Sequence, residues 1–324
     1  MTERGKLWGD KPYYSLDYYL KQTYGEKVYR LSLNGGMTCP NRDGTLGNRG
    51  CIFCSQGGSG DFAPSPAKSI TEQIEDAKER IANKTSARKF IAYFQAYTNT
   101  YAPVPYLEKI FMEAAAHPDI LILSIATRPD CLGEEVLELL SRISRIKPVW
   151  IELGLQTIHP STASWIRRGF SLEDFHPSVI NLKKRKIPVV AHVILGFPGE
   201  TRDMMLDTVD YVGHLPVFGI KLHLLHILKH TDLAAQYKAR PFALPGLSEY
   251  AGLLTECIRI LPENITIHRL TGDGPKNLLL APLWSADKKR VLNTIHKTLK
   301  ETDSYQGKGG IIWQSQIQST ELPY

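Results

Sequence analysis

Short apolar runs alternate with amphipathic segments along most of the chain. The apolar runs are rich in Val, Ile, Leu and aromatic residues, and they predict strands at residues 27–33, 89–95, 120–126, 149–155, 188–195 and 219–226. The segments between them predict helices; in residues 69–81, for example, Ser69 and Glu72 have the spacing of a capping box. This α/β pattern implies parallel βα units, which close either as a doubly wound sheet or as an incomplete TIM-like barrel.

The pattern changes after about residue 236. A long amphipathic segment is followed by a short apolar run at residues 265–268 and by a basic helical segment at residues 286–300. We therefore predict three parts: an N-terminal extension (residues 1–26), a core domain (residues 27–236) and a small C-terminal α/β extension (residues 237–324).

Composition narrows the class of protein. With 43% hydrophobic residues, a chain of 324 residues can bury a full core. The N-terminus has no apolar signal region and no run approaches about 18 apolar residues, so we expect a soluble cytoplasmic protein without membrane contact. Five cysteines do not make a disulfide framework in a chain of this size. The net charge of +6 permits a phosphate-rich partner without requiring one.

Three of the five cysteines lie in one glycine-rich loop that directly follows the first predicted strand. Cys39 is separated from Cys51 by eleven residues, and Cys51 from Cys54 by two. In parallel α/β folds, the carboxyl edge of the sheet carries the active site, and this is where the loop begins. Cys131 and Cys257 stand alone, so we expect both to be buried packing residues.

Three thiolates are one ligand short of a closed tetrahedral zinc site. A zinc site would need a fourth ligand, for which His159 and His192 are candidates. The alternative is a [4Fe–4S] cluster held by three cysteines, with one iron open to an external ligand. The third cysteine in the same loop favours the cluster, and zinc remains the alternative.

Six segments, in this order, carry a resemblance to a known family: GCIFCSQGGSGDF, SIATRPDCL, ELGLQT, RRGF, AHVILGFPGET and GIKLHLLHILKHTDL. They resemble motifs of the radical S-adenosylmethionine (SAM) enzymes, and more narrowly of the YtqA/YhcC group and the radical domain of the Elongator catalytic subunit. The likeness runs over residues 29–233 and continues more weakly to the C-terminus. It implies a partial (β/α)6 TIM-like barrel of the radical SAM type.

The resemblance also implies the cofactors and the chemistry. Cys39, Cys51 and Cys54 would hold one [4Fe–4S] cluster per chain, with SAM on the fourth iron. One electron, from a donor such as flavodoxin or ferredoxin, would cleave SAM to a 5′-deoxyadenosyl radical. The cysteine spacing is wider than the common three-then-two pattern, and Ala126 stands where relatives often have a glutamate.

Several residues at the predicted strand ends match positions that contact SAM in the family. The amino end of its methionine moiety would meet Gln95, Tyr97, Thr98 and Asn99, although each also suits an ordinary loop. Gln156 would bind the ribose or the amino-acid part, and Arg168 would pair with the carboxylate. His192 would contact cofactor or substrate, with a structural role as the alternative, and Phe53 would cover the cluster near the adenine. No catalytic residue is predicted.

Three functions remain open from the sequence. The first is tRNA (uridine) modification, which the Elongator resemblance and the basic clusters favour. The second is radical chemistry on a small carboxylate or porphyrin-like metabolite, bound by His223, His226, Lys229 and His230. The third is a non-catalytic, metal-bearing nucleic-acid-binding protein. The oligomeric state is not predicted.

Overall fold

Seven of the nine strands described below are those that the apolar runs predict, with ends shifted by at most two residues; the short strands at residues 227–228 and 279–281 were not predicted. A computed structural model describes residues 7–58, 60–272 and 274–310. Its strands are β1 (Val28–Leu33), β2 (Lys89–Phe94), β3 (Ile120–Thr127), β4 (Val149–Gln156), β5 (Val189–Leu195), β6 (Gly219–Leu224), β7 (Ile227–Leu228), β8 (Thr266–Arg269) and β9 (Leu279–Ala281). Seven of them form one parallel sheet in the order β1-β2-β3-β4-β5-β6-β8, and β7 pairs with β9 in a separate antiparallel ribbon.

Helices connect the strands and cover the outer face of the sheet. They are α1 (Leu16–Tyr24), α2 (Ile70–Ile81), α3 (Val104–Ala116), α4 (Glu134–Ser144), α5 (Pro160–Trp165), α6 (Leu172–Lys184), α7 (Arg202–His214), α8 (Asp232–Ala239), α9 (Leu247–Ile260) and α10 (Lys288–Glu301). The capping box predicted for α2 is present, since Ser69 Oγ accepts from the Glu72 amide and the Glu72 carboxylate accepts from the Ser69 amide. No helix among the described residues is long and apolar enough to cross a membrane.

The two faces of the sheet differ in chemistry because successive side chains on a strand point to opposite sides. Outward-facing residues are apolar and pack under the helices; Phe94 of β2, for example, meets Phe111 of α3 edge-on at 5.0 Å between ring centroids. Inward-facing residues are largely polar. The Arg30 side chain of β1 donates to His268 of β8 at 3.0 Å, so the first and last strands of the sheet approach each other. The sheet is therefore curled into a half-barrel.

Helix α1 closes the amino end of this half-barrel. Its Leu20 packs in a buried apolar cluster with Val28, Ile91, Ile122 and Trp150, which come from β1 to β4. Such a plug blocks one end, so a ligand can reach the polar interior from the carboxyl ends of the strands.

The predicted partial TIM-like barrel is confirmed, and the structure adds a seventh strand to it. This strand, β8, comes from the predicted C-terminal extension and pairs in parallel with β6, Gly219 lying opposite Thr266. The division at residue 236 stays a prediction. Parts of the two predicted terminal segments, residues 1–6 and 311–324, lie outside the described residues.

The plug generates a prediction about stability. Leu20→Ala removes a side chain that is 3% exposed and should lower the free energy of unfolding by about 2–5 kcal/mol. Leu283→Ala is the matched control: Leu283 is 70% exposed, and its change should stay within about 0.5 kcal/mol. Urea unfolding followed by circular dichroism measures both. Equal losses for the two variants would contradict the assignment of α1 as the plug.

Candidate functional site

The three cysteines of the loop after β1 open onto one cavity. Cys39, Cys51 and Cys54 are half-buried, and all three line a cavity of about 270 Å³ at the carboxyl ends of the strands. The backbone turns tightly at the ligand positions: the Arg42 amide donates to Cys39 O at 2.8 Å, and the Cys54 amide donates to Cys51 O at 3.1 Å. The loop thus brings together thiols that are eleven residues apart in sequence.

The exit of β2 holds this loop at both ends. The Thr98 amide donates to Thr38 O at 3.1 Å, just before the first cysteine, and the Tyr97 amide donates to Gly58 O at 3.0 Å, just after the last. A Cβ on Gly58 would lie 2.3 Å from the Tyr97 ring. Only glycine allows this approach, which explains why glycines follow the cysteine pair.

Hydrogen bonds and charge favour the thiolate form of Cys51. A hydrogen bond with Cys54 and one from Asn41, at 3.4 Å to the sulfur, lower the pKa of Cys51 to about 7, against the opposing effect of burial. The charges of Arg128 and Arg42 act in the same direction. The thiolate is the form that binds metal, so the donor set suits a cationic metal group.

The three sulfurs are not all as close together as one zinc ion would hold them. Zinc bonds of about 2.3 Å would hold sulfurs about 4 Å apart. Cys51 and Cys54 are close enough for a hydrogen bond. Among the described residues, the one group of three ligand atoms within 4.8 Å of one another is Glu75, His117 and Asp119, so at least one pair of the three sulfurs is farther apart than that.

The two histidines considered as a fourth zinc ligand are engaged elsewhere. His159 Nε2 bonds to Met204 O at 2.7 Å, and His192 Nε2 bonds to Glu152 Oε2 at 2.7 Å. Neither contact involves a cysteine. Neither histidine is therefore placed as a fourth ligand of a zinc site.

Two residues of the cavity wall have unusual backbone conformations. Tyr97 (φ 61°) follows β2 and Gln156 (φ 66°) ends β4, and both line the cavity. The other non-glycine residues with positive φ among the described residues do not line it; they are Arg167, Lys186, His230 and Asp303. Such conformations cost about 1–3 kcal/mol each and tend to cluster at functional sites. Those of Tyr97 and Gln156 mark the same end of the half-barrel as the cysteines.

Most of the residues predicted to contact SAM line the cavity: Phe53, Gln95, Tyr97, Thr98, Gln156, Arg168 and His192. Asn99 lies behind this wall. Its side chain is fully buried and donates through Nδ2 to Ala126 O at 2.8 Å. A SAM contact by Asn99 stays a prediction, and its position indicates that it joins the exits of β2 and β3.

Arg168 is 3% exposed, and most of its guanidinium group donates to backbone carbonyls. Its Nη1 donates to Leu155 O at 2.9 Å and to Thr157 O at 2.6 Å, and its Nε donates to Phe170 O at 3.0 Å. These bonds leave Nη2 as the group that a carboxylate could meet. Pairing with the SAM carboxylate therefore stays a prediction for that nitrogen.

The two isolated cysteines have different environments. Cys257 is fully buried in the core, as expected, and burial raises the pKa of its thiol. Cys131 was expected to be buried too, but it is half-buried, because it ends a short 3-10 helix at the surface. Burial and the nearby Asp130 carboxylate raise the pKa of Cys131 to about 12, so it is the neutral thiol.

A charged network inside the half-barrel was not predicted from the sequence. Glu152 of β4 is 1% exposed; its Oε2 contacts Lys221 Nζ and His192 Nε2, and its Oε1 accepts from Ser124 Oγ at 2.7 Å and lies 3.5 Å from Arg30 Nη2. The signal in the sequence was a charged residue within each of two apolar runs, Glu152 in VWIELGLQ and Lys221 in GIKLHL.

The protonation states of this network follow from its contacts. Burial raises the pKa of Glu152, but the charges of Lys221 and Arg30 outweigh it and hold that pKa well below its usual range. Burial, together with the charge of Lys221, lowers the pKa of His192 to about 4. At neutral pH the network therefore contains an ionised carboxylate beside a neutral imidazole.

A parallel half-barrel with three thiols at the mouth of its interior defines a class of α/β-barrel enzymes with a metal site at the carboxyl ends of the strands. Comparison with known families specifies the class. The family model described as "Radical SAM superfamily" matches residues 44–212, and "Radical_SAM C-terminal domain" matches residues 217–301. The uncharacterized protein YtqA of Bacillus subtilis (strain 168) is 44% identical over 299 residues, 92% of this chain and 93% of YtqA. The chain belongs to the radical SAM superfamily.

More distant relatives agree with this placement. The solved structure of archaeal Methanocaldococcus infernus Elp3 has the same fold, with a TM-score of 0.66 at 16% identity, over 86% of this chain and 64% of that chain. A tRNA uridine(34) acetyltransferase of Methanocaldococcus jannaschii is 24% identical over 171 residues, 52% of this chain and 31% of the relative. The resemblance inferred from the motifs is confirmed: the protein is a radical SAM enzyme, and its family implies an iron–sulfur cluster and SAM as cofactors.

The buried ion pair generates a prediction with a defined pH dependence. Lys221→Met leaves the Glu152 carboxylate buried with less compensation and should lower the free energy of unfolding by about 3–5 kcal/mol at pH 8. Because the pKa of Glu152 is depressed in the folded protein, its stabilising contribution is present above its usual pKa and is lost as pH falls. In the variant this pKa rises, so the deficit relative to the parent should shrink towards pH 5.

Urea unfolding of both proteins at pH 8, 6.5 and 5 measures that deficit. The double variant Glu152→Gln/Lys221→Met is the control, and it should recover part of the loss because no unpaired carboxylate remains. Two results would contradict the assignment of Glu152 and Lys221 as a buried ion pair. One is a deficit that does not change with pH. The other is a double variant as unstable as the sum of the two single changes.

Proposed function

We propose that this radical SAM enzyme holds one [4Fe–4S] cluster through Cys39, Cys51 and Cys54 and modifies tRNA. The observation that carries the cluster is the convergence of three thiols from one loop on a single cavity, with Asn41 donating to the Cys51 sulfur. When bound, the cluster and SAM supply a 5′-deoxyadenosyl radical that abstracts a hydrogen atom from the substrate. Enzymes of this superfamily usually need a reductant, and we propose flavodoxin or ferredoxin in that role.

The protein's part is to position the cofactor and to exclude water from it. Gln95, which follows β2, and Gln156, which ends β4, line the cavity with amide side chains, and Phe53 offers an apolar ring beside the cysteines. Phe53 lies 6.3 Å from Phe197 between ring centroids and belongs to an apolar cluster next to the loop. Together with the plug at the other end, these rings keep bulk water away from a reactive radical.

The proposal of tRNA as the substrate rests on the name of a relative and on the positive charge of exposed residues. The relative named a tRNA uridine(34) acetyltransferase aligns with 52% of this chain. Exposed basic residues occur in and after the β7–β9 ribbon: Lys229 follows β7, and Lys288, Lys289 and Arg290 begin α10, which follows β9. Arg168 is buried and adds no charge to the surface.

A second candidate substrate is a small carboxylate or porphyrin-like acid. Of the four residues expected to bind it, His223 and His226 line the cavity, whereas Lys229 and His230 are exposed. Histidines on the inner wall favour binding of an acidic group deep in the cavity. A small carboxylate or a porphyrin-like metabolite carries such a group.

The cluster is tested first. After anaerobic reconstitution, iron and sulfide should each approach about four per chain. Cys39→Ala, Cys51→Ala and Cys54→Ala should each abolish the cluster, since each removes one of three ligands, whereas Cys131→Ala and Cys257→Ala serve as controls and should keep it. Reduced protein should release 5′-deoxyadenosine from SAM. Stoichiometric zinc without iron, or S-adenosylhomocysteine as the sole SAM product, would refute the assignment.

The tRNA partner is tested through the basic helix. Changing Lys288, Lys289 and Arg290 together to Glu should weaken tRNA binding and reduce the slope of log K against log salt by a few charges, because phosphate contacts release counterions. The control changes Arg80, Lys84 and Arg88 together to Glu; these exposed residues lie from the last turn of α2 to the start of β2, and so at the amino end of the strands. Filter binding between 50 and 200 mM salt measures both. If the parent retains no tRNA at moderate salt, the small-acid substrate takes its place.

A further inference from the structure

Asn41 lies inside the long insertion between the first two cysteines of the site. It is 5% exposed, and its backbone oxygen accepts from the Gly50 amide at 2.6 Å. This bond joins the two ends of the insertion and places Asn41 beside Cys51, although the two are ten positions apart in sequence. The backbone of Asn41 thus fixes where its side chain lies.

The side chain of Asn41 faces three hydrogen-bond acceptors. Its Nδ2 lies 2.8 Å from Arg167 O, 3.0 Å from Arg168 O and 3.4 Å from Cys51 Sγ. Cys51 Sγ is also 3.6 Å from Arg167 O, and a metal-bound sulfur has no proton to share with that oxygen. The amide group of Asn41 can serve both atoms at once, because it has two N–H donors.

The segment that accepts these bonds has an unusual backbone and depends on donors from other loops. Arg167 has a φ of 56° and Gly169 a φ of 79°, conformations that persist when their surroundings hold them. A Cβ on Gly169 would lie 2.4 Å from Asn41 Oδ1, so only glycine allows this contact. Arg128, which follows β3, donates through Nη1 to Arg168 O at 2.8 Å. The same segment carries Arg168, which lines the cavity.

We propose that Asn41 is a positioning residue that joins the cysteine loop to the segment of Arg168 and raises the reduction potential of the cluster. Its N–H group donates to the Cys51 sulfur, and hydrogen bonds to cysteine sulfurs stabilise the reduced, more negative state of an iron–sulfur cluster. The effect on the potential rests on the proposed function, because it needs the cluster. The link between the two loops does not, since the protein's own groups make it.

The potential is measured on the reconstituted full-length protein by redox titration followed by electron paramagnetic resonance. Asn41→Ala removes the donor and should lower the midpoint potential of the cluster, while iron and sulfide contents stay at the parent's level. Asn41→Asp keeps the size of the side chain but places a negative charge beside the sulfur, so it should lower the potential further. Asn48→Ala changes an exposed residue of the same loop; it is the matched control and should leave the potential unchanged.

The link between the loops is measured by hydrogen exchange on the full-length protein as purified, so this measurement does not depend on the cluster. The amides of residues 166–168 donate to carbonyls within their own segment, which protects them from exchange. Asn41→Ala should speed their exchange about tenfold, as expected for the loss of about one hydrogen bond. Asn48→Ala should leave their exchange at the rate of the parent.

Either of two results would overturn the proposal: a potential in Asn41→Ala equal to or above that of the parent at full iron content, or unchanged exchange of residues 166–168. If Asn41→Ala binds no iron although circular dichroism shows a folded chain, the potential is measured in Asn41→Ser, where it should also lie below that of the parent. A parent protein that assembles no cluster would refute the proposed function, and the effect on the potential with it. The exchange rates would then still decide the link between the loops.

Discussion

The ion pair between Glu152 and Lys221 lies inside the half-barrel, where β4 and β6 flank β5. Burying a carboxylate costs several kcal/mol unless charges and hydrogen bonds surround it. Neighbouring strands therefore supply the partners of this pair, which are Arg30 of β1, Tyr93 of β2, Ser124 of β3 and His192 of β5. The network links the curvature of the sheet to its chemistry, because these side chains meet only when the strands wrap around a common interior.

The curled sheet then separates two environments. Its outer face is apolar and packs against helices, which stabilises the fold through burial. Its inner face is polar, plugged at the amino end by Leu20 and its neighbours, and open at the carboxyl end. Among the described residues this opening leads to the cysteines, and it is where we propose that substrate and cofactor enter. The cysteine loop lies at this opening because β2 binds its backbone on both sides of the cysteines.

The fold alone does not select the substrate, since the same half-barrel occurs in Elp3 at 16% identity. Selection has to come from the side chains on the inner wall and around the mouth. In this chain those are three histidines (His192, His223 and His226) beside arginines, with exposed lysines outside. His223, like His192, is neutral because burial, with the nearby His192 and Arg269, holds its pKa well below the usual range. Neutral imidazoles such as these donate hydrogen bonds without adding charge to the cavity.

The sequence by itself determined the order and type of the core elements, because strand and helix periodicities are local. The capping box at Ser69 and the apolar run of β5 are read from adjacent residues, and both are present in the structure. It also identified the three cysteines of the site, because they share one loop. The family followed from ordered motifs, and the match over residues 44–212 agrees with it.

The tertiary structure determined which side chains of different strands lie next to each other in the sheet. Glu152 and Lys221 are 69 residues apart, and their pairing depends on the register of β4, β5 and β6. The seventh strand joins the sheet from a segment that the pattern separated, since pairing of β8 with β6 is a long-range contact. Arg168 turns inward to backbone carbonyls, and Asn99 turns behind the wall, because the fold of neighbouring loops, rather than their own sequence, determines which atoms they meet.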